Sequence, residues 1–186
     1  MNFRKKNYFV ISIVCLFLLL VVMLTKTFTL LKQVNNASDY RSYNIYNINE
    51  NIVVERLSKS LGYKTVSNQD GNIINFTEFN NFYKFLEESF PNVHKSLRKE
   101  KINEFGVLYK WEGSKKDCES ILLMAHLDVV PAEEKEGNAW KYPPFSGTVC
   151  EGYVWGRGAL DMKSQLMGQF EAIEELINRG YKPVKT

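Results

Sequence analysis

The chain has 186 residues, 45% of them hydrophobic and 24% charged, and its 24 basic against 21 acidic side chains leave a net charge of +3. Eleven glycines, three cysteines and 13% aromatic residues exclude collagen-like, disulfide-scaffold and wholly disordered classes. Arg4, Lys5, Lys6, Lys26 and Lys32 lie in an acid-free N-terminal stretch, so the remainder carries −2. No basic footprint is left on the folded part, and no nucleic-acid partner is expected.

Residues 1–7 form a basic flank, and 8–31 read as a transmembrane signal-anchor. From Tyr8 to Thr25 there is no charge, and a helix of that length covers about 27 Å, close to the hydrocarbon thickness of a bilayer. The cations ahead of it favour a cytoplasmic N-terminus with the body on the exoplasmic side, at a cell surface or in a vacuolar or lumenal space. A cleaved secretory signal is the competing reading, although its usual short apolar core and small-residue cleavage site are not evident. Residues 32–50, rich in Asn, Tyr and Ser, read as a tether. Residues 51–186 remain to fold.

In that part, Ile52, Val53, Leu57 and Leu61 recur at helical spacing before Gly62, which predicts a helix over Asn51 to Leu61. Phe79, Phe82, Phe85, Leu86 and Phe90 mark the buried stripe of a second helix, ended by Pro91. Phe105 to Trp111 reads as an outer strand. Ile121 to Ala125 is a continuous apolar run expected to be a central strand buried on both faces. Thr148-Val149 and Tyr153-Val154-Trp155, joined through Glu151-Gly152, predict a hairpin. From Ser164, the residues Leu166, Met167, Phe170, Ile173, Leu176 and Ile177 trace one face of a helix ending at Gly180. The alternation favours an α/β domain with helices over a mainly parallel or mixed sheet. Cys118 and Cys150 stay open as a disulfide pair or as free thiols.

Chemistry is expected just beyond strand ends, where α/β sheets gather ligands. His126 and Asp128 follow the apolar run two residues apart, which places both on one side of an extended chain. A carboxylate beside a histidine can fix its tautomer, so His126 as metal ligand and Asp128 as its orienting partner form a coherent pair. A purely local His–Asp pair is the plainer alternative. In Gly156-Arg157-Gly158-Ala159-Leu160-Asp161-Met162-Lys163, two glycines allow a tight turn that can aim Asp161 at the same mouth, although Asp161 could equally cap the next helix. A dinucleotide loop fails here, because Asp161 stands where the third glycine would be. Arg157, Lys163 and Trp140 read as a turn cation, a solvated helix residue and an apolar loop plug. His94 reads as part of a surface turn.

These motifs, AHLDVVP, WKYPPFSG and GYVWGRGALDMK, resemble the zinc metallopeptidase family of aminoacylase, succinyl-diaminopimelate desuccinylase and carboxypeptidase S. ERLSKSLGYKTVSNQD and FYKFLEESFPNV resemble its carboxypeptidase S (Gly-X carboxypeptidase) and N-acyl-amino-acid synthase/hydrolase branch, so the resemblance runs from about Asn51 to Lys182. It implies the N-terminal part of a three-layer αβα catalytic domain, with His126 on one zinc, Asp128 as the catalytic aspartate orienting it, and Asp161 bridging two zinc ions. It implies hydrolysis of a C-terminal peptide bond or an N-acyl-amino-acid amide, with a glutamate as general base. In the family, a Glu-Glu pair, further ligands and a dimerisation domain follow downstream. None of these occurs in this sequence, so the chain is expected to be an N-terminal portion, inactive alone, whose homodimer would form through a domain not present here. A truncated relative serving as a binding or complementing module is the alternative.

Overall fold

An apolar run without Gly or Pro dictates a helix, and in the computed structural model it is α1, Phe3–Asn36. The structure describes residues 3–36, 48–68, 74–133 and 140–186, in two units, Met1–Ile48 and Asn49–Thr186. Within the first unit, Val10–Leu30 is long and apolar enough to cross a membrane, and every side chain of that stretch is exposed. Thr25 and Thr27 donate their hydroxyls back to the carbonyls of Val22 and Met23 at 3.0 and 2.9 Å, which satisfies them inside the helix. The helix runs on to Asn36, into the stretch read as a tether. Residues 37–47 of that tether lie outside the described residues.

The second unit opens with α2, Glu50–Leu61, where Asn49 accepts the Ile52 N–H as the N-cap. Asn75 does the same for Thr77 at the start of α3, Phe76–Ser89. The predicted stripe is buried: Phe79, Phe82, Phe85 and Leu86 face the core, and Phe90 follows them. Pro91 does more than end this helix. It is the first residue of α4, Pro91–Ser96, a position where proline's missing N–H costs nothing. His94 lies on that helix rather than in a surface turn, with Nδ1–H donating to the Phe90 carbonyl at 2.8 Å and Nε2 accepting from the Tyr109 hydroxyl at 2.8 Å.

β1, Arg98–Ile102, is a strand the apolar pattern could not reveal, because its residues RKEKI are all exposed. It pairs antiparallel with β2, Gly106–Lys110, from Arg98 opposite Lys110 to Ile102 opposite Gly106. The predicted hairpin forms as β3, Thr148–Cys150, and β4, Tyr153–Trp155. Glu151 and Gly152 take φ of 57° and 78°, the left-handed pair that a two-residue turn between twisted strands requires. α5, Ser164–Asn178, closes on Gly180 at φ 72°, where the N–H groups of Gly180 and Tyr181 reach back to Ile177 and Leu176. Phe82, Phe85, Phe90, Val93, Met167 and Phe170 knit α3, α4 and α5 into one core.

The expected central strand does not form. Ile121 to Ala125 takes no regular secondary structure and joins no ladder among the described residues, and Ile121, Leu122, Leu123 and Met124 are 64, 68, 60 and 69% exposed. A strand is buried only by what lies against it; here the Ile121 N–H reaches the Thr186 carbonyl, and Gln165 and Gln169 donate to the Met124 carbonyl. The described residues therefore hold two antiparallel pairs and one parallel bridge, Val66 to Val129. The mixture of helix and strand agrees with the α/β reading. Cys118 and Cys150 are free thiols.

Candidate functional site

The parallel bridge places the first site residues. Val129 donates its N–H to the Thr65 carbonyl at 2.9 Å and accepts from the Ser67 N–H at 3.0 Å. The fully buried Thr65 adds a hydroxyl bond to the Leu127 carbonyl at 2.7 Å. Residues 65–67 thus clamp 127–129 by backbone and side chain, fixing the segment that carries His126 and Asp128.

His126 Nδ1–H donates to the Asp128 carbonyl at 2.9 Å and lies 3.3 Å from Asp128 Oδ1. Its Nε2 is 3.0 Å from Asp161 Oδ1. The other Asp128 oxygen accepts the Ser67 hydroxyl. The three residues singled out in the sequence are therefore brought together, with Asp128 held from behind by Ser67. Because a carbonyl can only accept, Nδ1 carries the proton, and in the neutral ring Nε2 presents a lone pair to a carboxylate oxygen. Two acceptors at that distance need a positive charge between them. Burial alone lowers the proton affinity of His126, but bonds to the Asp128 carbonyl and the Asp161 carboxylate outweigh it, and its pKa stands above the ordinary value.

Asp161 reaches this position through a turn, Ala159–Lys163, entered at Gly158 with φ 82° and leading into a cis peptide to Met162. A Cβ on Gly158 would lie 2.5 Å from Val129 Cγ1, so only glycine lets this turn touch the segment that carries His126. The Asp161 side chain itself is 86% exposed.

Lys163 is not a solvated helix residue. It is wholly buried, with Nζ donating to the Ser60 and Tyr63 carbonyls at 2.9 and 2.8 Å and standing 4.9 Å from the centre of the Phe82 ring. Burial lowers its pKa to about 7. Arg157 stacks over Trp140 at 5.1 Å, and its backbone N–H holds the Pro144 carbonyl. Trp140 is 37% exposed, a lid on Arg157 more than a plug in the core.

Ser67, Thr65 and Lys163 were missed in the sequence. Thr65 and Ser67 alternate as small hydroxyl residues on an extended segment, a signal legible only once its neighbour is known. Among the described residues no group of three or more His, Cys, Asp or Glu side chains converges to hold a metal ion.

Residues 122–186 match the sequence profile of peptidase family M20/M25/M40. The chain is 46% identical over 145 residues to carboxypeptidase S of Saccharomyces cerevisiae, covering 73% of this chain and 25% of the relative. It is 36% identical over 136 residues to the probable carboxypeptidase S-like 2 of Dictyostelium discoideum, covering 72% and 26%. To the N-fatty-acyl-amino acid synthase/hydrolase PM20D1 of Xenopus tropicalis it is 33% identical over 175 residues, covering 92% and 33%. The chain thus spans about a quarter to a third of the length of these relatives. The matched stretch contains the whole His126, Asp128 and Asp161 constellation, and residues 122–186 belong to peptidase family M20/M25/M40.

Proposed function

We propose that this chain supplies one side of the zinc site of a membrane-anchored hydrolase of the carboxypeptidase S and aminoacylase type. The observation that carries this reading is the His126 Nε2 facing Asp161 Oδ1 at 3.0 Å while Asp128 holds Nδ1. An imidazole nitrogen and a carboxylate are fitting donors for zinc, and their mutual repulsion is relieved by a cation as well as by a proton. His126 and Asp161 would hold the metal, with Asp161 placed to bridge two ions. By accepting Nδ1–H, the Asp128 main-chain carbonyl keeps the imidazole in the tautomer that frees Nε2, while Ser67 holds the Asp128 carboxylate beside the ring. Zinc, when bound, polarises the scissile carbonyl and eases deprotonation of water.

Two protein ligands fall short of the three that a catalytic zinc takes, so the remaining ligand and a glutamate base come from residues other than these. The relatives' names point to a C-terminal peptide bond or an N-acyl-amino-acid amide as substrate. α1 is the anchor, with the N-terminus cytoplasmic and Asn49–Thr186 on the exoplasmic side, and a homodimer would form through residues outside this chain. The exposed Ile121 to Met124 run favours a second reading, in which the chain acts only when another polypeptide complements it.

The test is a Co2+ and Zn2+ titration of the full chain in detergent micelles. Weak binding is expected in the wild type and loss of it in His126→Ala and Asp161→Asn, with no turnover of acyl-amino acids by the chain alone. Binding that survives both substitutions would overturn the metal reading.

A further inference from the structure

Lysine is almost never fully buried without a charged partner, yet the Lys163 ammonium donates to two backbone carbonyls, those of Ser60 and Tyr63. The Ser60 carbonyl belongs to the last turn of α2, where the helix dipole presents partial negative charge, and Tyr63 lies two residues beyond the helix end. A methionine of similar length would fill the same sleeve without the cost of taking a cation out of water. The site therefore spends stability on a charge whose bonds all run to one place.

That place is relevant because of what Lys163 carries. Its backbone N–H closes the Asp161 turn on the Gly158 carbonyl at 2.8 Å. Its Cγ and Cδ lie 3.7 Å from where a Gly158 Cβ would stand, on a turn that Val129 already approaches closely. The lysine stem, Gly158 and Val129 thus stack in sequence, and Val129 sits on the segment that bears His126 and Asp128. The Asp161 carboxylate is almost free in solvent and has no packing of its own to locate it.

We propose that Lys163 is a positioning residue for the metal pair: by spanning the Ser60 and Tyr63 carbonyls it moors the Gly158 to Lys163 turn to the end of α2 and so sets the spacing of Asp161 from His126. This inference rests on reading His126 and Asp161 as a metal pair, but its test is run without metal, so the two fail separately. The chain has two histidines, His94 and His126. One reports the core through Tyr109 and the other reports the site through Asp161.

In metal-free full-length chain in micelles at fixed pH, ring resonances of both histidines are compared by NMR in the wild type, Asp161→Asn and Lys163→Met. The expected result is that in Lys163→Met the His126 signals shift most of the way to their Asp161→Asn positions while those of His94 stay in place. A folded Lys163→Met with His126 unmoved would overturn the proposal, as would a shift of both histidines to the same extent, which marks a general packing loss. If Lys163→Met loses the native His94 signals, Lys163→Gln replaces it, since its amide can still donate to one carbonyl. A partial His126 shift is then expected, and an unmoved His126 overturns the proposal.

Discussion

His126 Nε2 lies 3.0 Å from Asp161 Oδ1 although thirty-five residues separate the two in sequence. The contact joins a segment clamped by residues 65–67 to a turn held against α2, so disturbance of either support should reach the site. Asp128→Asn leaves the main-chain carbonyl that accepts the His126 Nδ1–H and removes only the carboxylate charge 3.3 Å from that nitrogen, and should lower zinc affinity by no more than about 10-fold with little change in melting temperature. Competition titration with a chromogenic chelator measures it.

Ser67→Ala removes the hydroxyl that Asp128 accepts. Solvent can reach the freed oxygen, since the Asp128 side chain is 42% exposed, so the stability loss should be small, about 0.5–1.5 kcal/mol. Zinc affinity should fall in the same direction as for Asp128→Asn but by less.

Two glycines with positive φ should respond differently to alanine. Gly152, at φ 78° in the hairpin turn, has open space around it, so Gly152→Ala should cost only the left-handed strain of about 1–2 kcal/mol. Gly158→Ala meets both that strain and the Val129 contact at 2.5 Å, and should cost more, about 3 kcal/mol or above. Denaturant titration of the two variants side by side checks the order.

Glu174 is 6% exposed and accepts from the Asn92 and Val93 N–H groups at 3.1 and 2.8 Å and from the Asn92 amide at 2.8 Å. It caps the short α4 from across the core, doing for Pro91–Ser96 what Phe90 at the N-cap cannot. Glu174→Ala should cost about 2–3 kcal/mol, because it leaves these donors without their carboxylate. Thermal unfolding measures the loss, and restoration by Glu174→Gln should be partial.

Burial raises the pKa of Glu171 above its ordinary 4.5, with Arg56 at 2.8 Å offsetting part of the effect. The folded chain then holds this proton to higher pH than the unfolded chain does. Its contribution to stability therefore falls as pH rises from about 4.5 through the folded pKa, and is constant above that. Glu171→Gln should flatten this part of the profile, as read by denaturant titrations between about pH 4 and 7.

Much of the molecule was legible in the residues themselves. The stripes of α2, α3 and α5 and the Glu151-Gly152 hairpin turn are local patterns that periodicity and left-handed turn chemistry express directly, and the His126–Asp128 spacing and the glycine pair before Asp161 marked the residues of the site. What the sequence left unread depends on neighbours distant along the chain. β1 is a run of charges that becomes a strand only because β2 offers it a ladder. Ile121 to Met124 has the composition of a central strand yet stands exposed, since apolar composition states a need for neighbours and does not provide them. Lys163 looked like a solvent cation because charge favours water at the level of one residue. Only the tertiary structure, which brings two carbonyls at the end of α2 and the Phe82 ring around its ammonium, makes the buried position tenable.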